Sequence, residues 1–177
     1  MNQDIPEIIL SGEDRRLLAL WAADCAERVL PLFEAASPSD ARPREAVEGA
    51  RAYVREGRRT QHLRSAAWAA LAAAREASAP AVASAARSAG LAAATPYLHA
   101  RATPHQINHV LGPAVHQALA REIAAGGDPS VGDAEIRWAA GRAGPAVRGV
   151  ARQLPPGRYG RSRSGALHRL LDAELRG

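Results

Sequence analysis

An all-α fold follows from three features of this chain. Apolar residues recur at three- and four-residue spacings through most of its 177 positions. No stretch alternates β-branched and aromatic residues in the way strands do. Pro and Gly fall between the periodic blocks, where helices begin and end.

The elements can be taken in order. Ser11-x-x-Asp14 is a capping-box pattern that opens a helix running to Leu30-Pro31 within the block 11–36. Leu18, Ala22, Cys25, Val29 and Leu32 follow a 4-3-4-3 spacing along one side of it, widened by Trp21 and Phe33. A second helix starts near Asp40, carries Pro43 in its first turn and ends at Gly57, with Val47, Ala50 and Val54 inward. A third covers about residues 60–77 and faces inward with Leu63, Ala67, Ala70, Leu71 and Ala74. Ser78-Ala79-Pro80 opens a fourth, which runs to about residue 95 and is stopped by Pro96. Thr103-Pro104 opens a fifth that ends at Gly126-Gly127, with a kink expected near Val110 from Gly112-Pro113. Ser130-x-x-Asp133 caps a sixth, interrupted by Gly144-Pro145. Residues 154–164, LPPGRYGRSRS, read as a loop or a disordered connector. Residues 166–175 form a short helix with Leu167, Leu170, Leu171 and Leu175 on one side.

The expectation is one irregular antiparallel bundle of six to seven helices with an Ala-rich core. Residues 1–153 would form the bundle, and residues 154–177 a basic loop plus a short helix attached to the same domain. Aromatic residues make up only 4% of the chain, so the core must be built from small side chains. Cys25 is the single cysteine, which excludes an internal disulfide and a Cys-based metal cluster. On the apolar face of the first helix it reads as a small core residue. No apolar run approaches ~20 residues, and MNQDIPEIIL lacks a basic segment followed by a long apolar one. A soluble, cytoplasmic protein without membrane contact is expected.

Charge is unevenly placed. Residues 137–177 hold nine Arg against Asp172 and Glu174, a balance of +7, and the other 136 residues carry 5 − 7 = −2. All 23 basic residues are Arg. A basic end of this kind favours an anionic partner. Arg158, Tyr159, Arg161, Arg163 and Arg169 would make the contact, with Tyr159 able to stack on a base if the partner is nucleic acid.

Three imidazoles, His105, His109 and His116, fall within about 40° of one another on an unbroken helix. Ile107, Leu111, Ala114 and Ala118 lie opposite them. Such a face can hold a borderline metal, with His99, Glu122 or Asp24 completing the set. The acid that accompanies two-His helical metal motifs is missing, however, so neither a metal nor a cofactor is expected. A polar wall of a pocket is the other use of this face. Trp21, Trp68 and Trp138 would anchor an Ala-dominated core, and Trp21 or Trp68 would floor any pocket between helices. Asp24 and Glu27 are one turn apart, a spacing that suits paired carboxylates but equally ion pairs with Arg15 and Arg28. No reaction is legible from these residues.

One family is similar to this chain in Asp14-Arg15-Arg16 and the run Leu18-Ala19-Leu20-Trp21-Ala22-Ala23-Asp24-Cys25-Ala26-Glu27-Arg28-Val29-Leu30-Pro31-Leu32-Phe33-Glu34. The similarity continues through Arg42-Pro43-Arg44-Glu45-Ala46, Arg51-Ala52-Tyr53-Val54-Arg55, and residues 66–75 and 81–95, which include Ala85-Ala86-Arg87-Ser88-Ala89-Gly90. Over residues 11–95 the chain thus resembles small helical bacterial proteins described as immunity proteins of polymorphic-toxin systems, some of which also carry an exonuclease label. The resemblance implies a helical fold and a role in binding a toxin or occluding its active site, without catalysis. Pro96-Tyr97-Leu98-His99 and Pro113 depart from that family's pattern, and the Arg-rich end has no counterpart in it.

The expected function is therefore a non-catalytic binding protein of immunity or self-resistance type, neutralising a protein toxin or a toxic small molecule by stoichiometric binding. A small-molecule binder or small enzyme of a natural-product pathway, with an inter-helix pocket of His and Trp, is the alternative. A nucleic-acid-associated protein using the Arg-rich segment is the third. Trp21, Asp24, Trp68, His99, His105, His109 and His116 are the candidate contact residues for a ligand or partner. A second copy of the chain is a further candidate partner.

Overall fold

A computed structural model describes residues 5–177. Among the described residues there are eight α-helices: α1 (Gly12–Ala36), α2 (Arg42–Glu56), α3 (Gln61–Glu76), α4 (Pro80–Ala94), α5 (Pro104–Ala124), α6 (Pro129–Arg142), α7 (Pro145–Gln153) and α8 (Arg163–Arg176). A 3-10 turn, Thr95–Tyr97, joins α4 to the segment before α5. The fold is an all-α bundle, as expected from the periodicity. The count exceeds six to seven because Gly144-Pro145 ends one helix and starts another, rather than bending a single one.

Local signals set most of the boundaries. Ser11 and Asp14 form the full capping box: the Asp14 N–H donates to Ser11 Oγ at 3.0 Å and the Ser11 N–H donates to Asp14 Oδ2 at 2.9 Å. α1 then continues five residues past Pro31. Pro31 lies on the exposed side, where water can reach the Glu27 carbonyl that the proline leaves without a donor. Gly57 ends α2 in the left-handed region at φ 69°. Tyr53, not Val54, completes the inward face of α2, because the stripe follows Pro43, Ala46, Val47, Ala50 and Tyr53 around the helix. Thr60 caps α3 through its hydroxyl.

α5 remains one helix through Pro113, whose carbonyl accepts a 2.7 Å hydrogen bond from the buried Ser88 hydroxyl. The cap of α6 is Asp128, whose Oδ1 accepts the Ser130 N–H at 2.9 Å. Asp133, expected at that cap, instead accepts from Arg163 at 2.7 Å. Ser162 caps α8 by accepting the Gly165 N–H, which starts the helix three residues earlier than its leucine pattern suggests. The segment before it is ordered, not a free connector. Leu154 is buried, Tyr159 stacks on His168 with ring centroids 5.4 Å apart, and the Tyr159 hydroxyl donates to Asp172 at 3.0 Å.

Burial divides by side-chain size. Between α1, α2, α3 and α4 the core is mostly alanine, with Leu30, Val47, Tyr53 and Leu63 among them. Trp21 and Leu18 of α1 join a second cluster with Ile107, Leu111, Ile136 and Val150, into which α8 inserts Leu167, Leu171 and Leu175. A smaller cluster of Val29, Phe33, Ala73, Ala85, Ala86 and Ala120 closes the far end of α1. α4 is central, packing on α1, α2, α3 and α5. Two glycines allow close approach there. A Cβ at Gly90 would come within 2.8 Å of Leu71 Cγ, and one at Gly112 within 2.9 Å of Leu91 Cδ1.

A polar knot crosses the apolar interior. Buried Glu135 accepts from Arg28 through both carboxylate oxygens, at 2.6 and 3.1 Å, and also from Gln117. Arg121 lies 3.5 Å from the same carboxylate. The shared partners offset the cost of desolvating the acid. Among the described residues, no helix is long and apolar enough to cross a membrane.

Candidate functional site

A half-open cavity of about 350 Å³ lies between α3, α4 and α5. The 4-3 spacing of Arg64, Trp68 and Leu71 puts all three on one face of α3, and that face forms one wall. α4 contributes Leu91 and Ala94, and the turn after it supplies Tyr97 and His99. Gln106, His109 and Val110 close the cavity from α5. Trp68 is 65% exposed at its mouth, whereas Trp21 is 4% exposed.

The polar groups of this site are held by second contacts. Tyr97 donates its hydroxyl hydrogen to the Thr60 carbonyl at 2.9 Å, and the Arg64 guanidinium lies 4.7 Å from the Tyr97 ring centroid. The Gln106 carboxamide oxygen accepts the His99 N–H at 3.2 Å. His105 and His109 meet edge to face, their Nε2 atoms 2.9 Å apart. One of those nitrogens must donate and the other accept, so the acceptor ring is neutral. Burial, followed by the nearby His105 and His99, holds His109 below the usual imidazole range. The site can therefore present apolar surface, ring faces and N–H donors.

The other predicted residues are dispersed. His116 shares the expected helical face but is half-buried near Arg87 of α4 and His168 of α8, away from the cavity. Its Nδ1 is buried without a partner, and burial, with Arg87 and His168, lowers its pKa to about 3. His105, His109 and His116 thus do not converge. Among the described residues no three His, Cys, Asp or Glu side chains come together in a way that could hold a metal ion. Trp21 is a core anchor whose indole N–H donates to the Ala139 carbonyl at 2.9 Å. Asp24 accepts from Arg51 at 3.1 Å and, with Trp21, Leu17, Leu20 and Arg142, lines a separate depression of about 200 Å³. Glu27 pairs with Arg44 at 2.6 Å. Trp138 lies between Arg28 and Arg142, whose guanidinium carbons are 4.3 and 5.4 Å from its ring centroid. Cys25 is fully buried, and burial pushes its thiol far above the usual range.

The Arg-rich segment is used largely inside the molecule. Arg163 donates to Glu122 at 2.8 Å and to Asp133 at 2.7 Å. Arg169 donates to the Gly160 carbonyl at 2.8 Å, and Tyr159 is turned inward against His168 and Asp172. Arg158 borders a shallow depression with His105 and Asn108. Of the five residues expected to meet an anion, Arg158 and Arg161 are those with no hydrogen-bond partner among the described residues.

Arg64, Leu71, Leu91, Tyr97 and Gln106 were missed as site residues. Spacing alone places Leu71 with the core residues of α3, whereas the structure sets it on the cavity wall with Arg64 and Trp68.

A family model described as Imm-5 like putative immunity protein matches residues 9–144. Neither a curated protein nor a solved structure matches the chain. The matched span takes in α1 to α6 and every residue around the cavity, well beyond residue 95, where the resemblance read from the sequence faded.

Proposed function

The chain belongs to the Imm-5 like putative immunity protein family, and on that basis we propose that it neutralises a toxin by stoichiometric binding. The observation that carries this reading is the extent of the family match, which covers six of the eight helices, the whole alanine-rich cluster and the part of the leucine-rich cluster that α1, α5 and α6 supply. The fold suits the task. Its helices are tied by buried contacts and by the Glu135 knot, so a partner would meet a preorganised surface and lose little entropy in ordering it. Nothing in this mechanism requires a bond to be made or broken by the protein.

A nucleic-acid reading draws less support. Arg163 and Arg176 donate to carboxylates, which neutralises two of the nine arginines on the basic end, and Tyr159 is turned inward, away from any base it could stack on.

The test uses the products of the genes that flank this one. Expressed alone, one of them should arrest growth; co-expressed with this chain, it should not. The purified pair should form a 1:1 complex by calorimetry and raise the melting temperature of this chain. A toxic neighbour that stays toxic in the presence of this chain and elutes apart from it would sink the proposal.

A further inference from the structure

The cavity between α3, α4 and α5 is amphipathic along its length. From Arg64 to Leu71, α3 rises about 10 Å, which sets two chemically different ends. The Leu71 end is apolar, walled by Leu91 and Val110. Its two leucines lie over Gly90 and Gly112, contacts so close that a Cβ at either glycine would stand 2.8 or 2.9 Å from the leucine. Helix packing therefore shapes that end, and no loop has to move to form it.

The Arg64 end offers donors. Gln106 lines the cavity and its oxygen is taken by the His99 N–H, while its amide N–H₂ makes no hydrogen bond to another described residue. Arg64 rests on the Tyr97 ring and has no carboxylate partner there. No acidic side chain lines the cavity among the described residues. An amide donor with no protein acceptor and a guanidinium without a counter-charge both suit the same kind of group, an anionic oxygen acceptor.

We propose that this cavity binds a small organic anion with a flat apolar body of roughly two fused rings, its carboxylate or similar group facing Arg64 and Gln106. The ring system lies between Trp68 and the leucines, where indole and methyl groups exclude water. The cavity volume of about 350 Å³ takes a ligand of that size with room for bridging water. Occupancy of this site neither requires nor excludes the neutralising role.

The full chain is titrated by calorimetry near neutral pH with 2-naphthoate, and separately with its uncharged counterpart 2-naphthylmethanol. Saturable 1:1 binding is expected, with the acid held about ten-fold more tightly than the alcohol. Arg64→Ala, at an exposed position that the fold does not depend on, should weaken naphthoate by about ten-fold and leave the alcohol unchanged. Gln106→Leu should act in the same direction. Absence of saturable naphthoate binding up to about 5 mM, equal affinity for acid and alcohol, or full naphthoate affinity in both variants would each overturn the proposal.

Discussion

Where α1 meets α2, α3 and α4, it buries Ala19, Ala22 and Ala26 against Ala46, Ala70, Ala89 and Ala93. Toward α5, α6, α7 and α8 the same helix buries Leu18, Trp21 and Cys25 among Ile107, Leu111, Ile136, Leu167, Leu171 and Leu175. One helix thus faces two kinds of core. In the first, burial per side chain is small, and cohesion comes from backbones that approach closely. In the second, each leucine contributes on the order of 1.5–3 kcal/mol by leaving water. The difference teaches where each half is fragile. Alanine seams have no room to grow, and leucine cores cannot shrink without leaving a void.

Electrostatics follow the same divide. On the alanine side, the ion pairs of Arg42 with Asp40 and Glu76 and of Arg44 with Glu27 and Glu34 run over the surface. Such pairs contribute little. On the leucine side Arg28, Arg163 and Arg176 pair with the buried acids Glu135, Glu122 and Asp172, and other arginines reach main-chain groups. Arg148 alone donates to the carbonyls of Ala140, Ala143 and Glu174, at 2.9, 3.2 and 2.7 Å. These carbonyls belong to the ends of α6 and α8, where the intrahelical ladder runs out, although that of Ala140 also accepts the Ala143 N–H. The basic end of the chain therefore stitches α6, α7 and α8 together.

The largest effect is expected from Leu171→Ala, which empties a fully buried position between α8 and the bundle. Chemical denaturation should show a loss of about 2–5 kcal/mol. A loss below about 1 kcal/mol would mean that α8 is not part of the cooperative core.

The opposite substitution probes the other half. Ala89→Leu places three extra carbons where α4 is fully buried among alanines. It should destabilise by about 1–3 kcal/mol through strain. If it proves neutral or stabilising, the alanine seam is not tightly packed and the contrast between the halves fails.

The smallest effect lies at the seam between the halves, where His116 of α5 sits near Arg87 of α4 and His168 of α8. Its pKa falls from 6.5 to about 3 in the folded state. The unfolded chain then binds a proton that the folded chain refuses, so stability is complete above the ordinary imidazole range and drops as pH falls toward 3. His109 and His168 are shifted in the same direction. Each histidine contributes a slope of at most about 1.4 kcal/mol per pH unit. Denaturation midpoints measured from neutral pH down to mildly acidic pH should decline, and His116→Gln should flatten the curve. An unchanged slope in that variant would remove His116 as a source of acid lability.

Much of the secondary structure was legible. Ser11, Thr60 and Gly57 act within four residues of themselves, so their roles can be read directly from spacing. The inward leucines of α8 were visible for the same reason. Trp21 and Trp68, by contrast, look alike in sequence, yet one anchors the core and the other stands at the mouth of a cavity. Asp133 had the right spacing for a cap and was drawn away by Arg163, 30 residues along the chain.

The sequence by itself determined that this chain is helical, where most of its helices start, and which faces turn inward, because those outcomes depend on contacts three and four residues apart. Tertiary structure alone decided that Arg163 would pair with Glu122, 41 positions away, that His116 would come near Arg87 of α4 and His168 of α8, and that Leu71 and Leu91 would leave a cavity between them and α5. Partners at such separations are chosen by how helices dock, and helix docking depends on the summed shapes of many side chains.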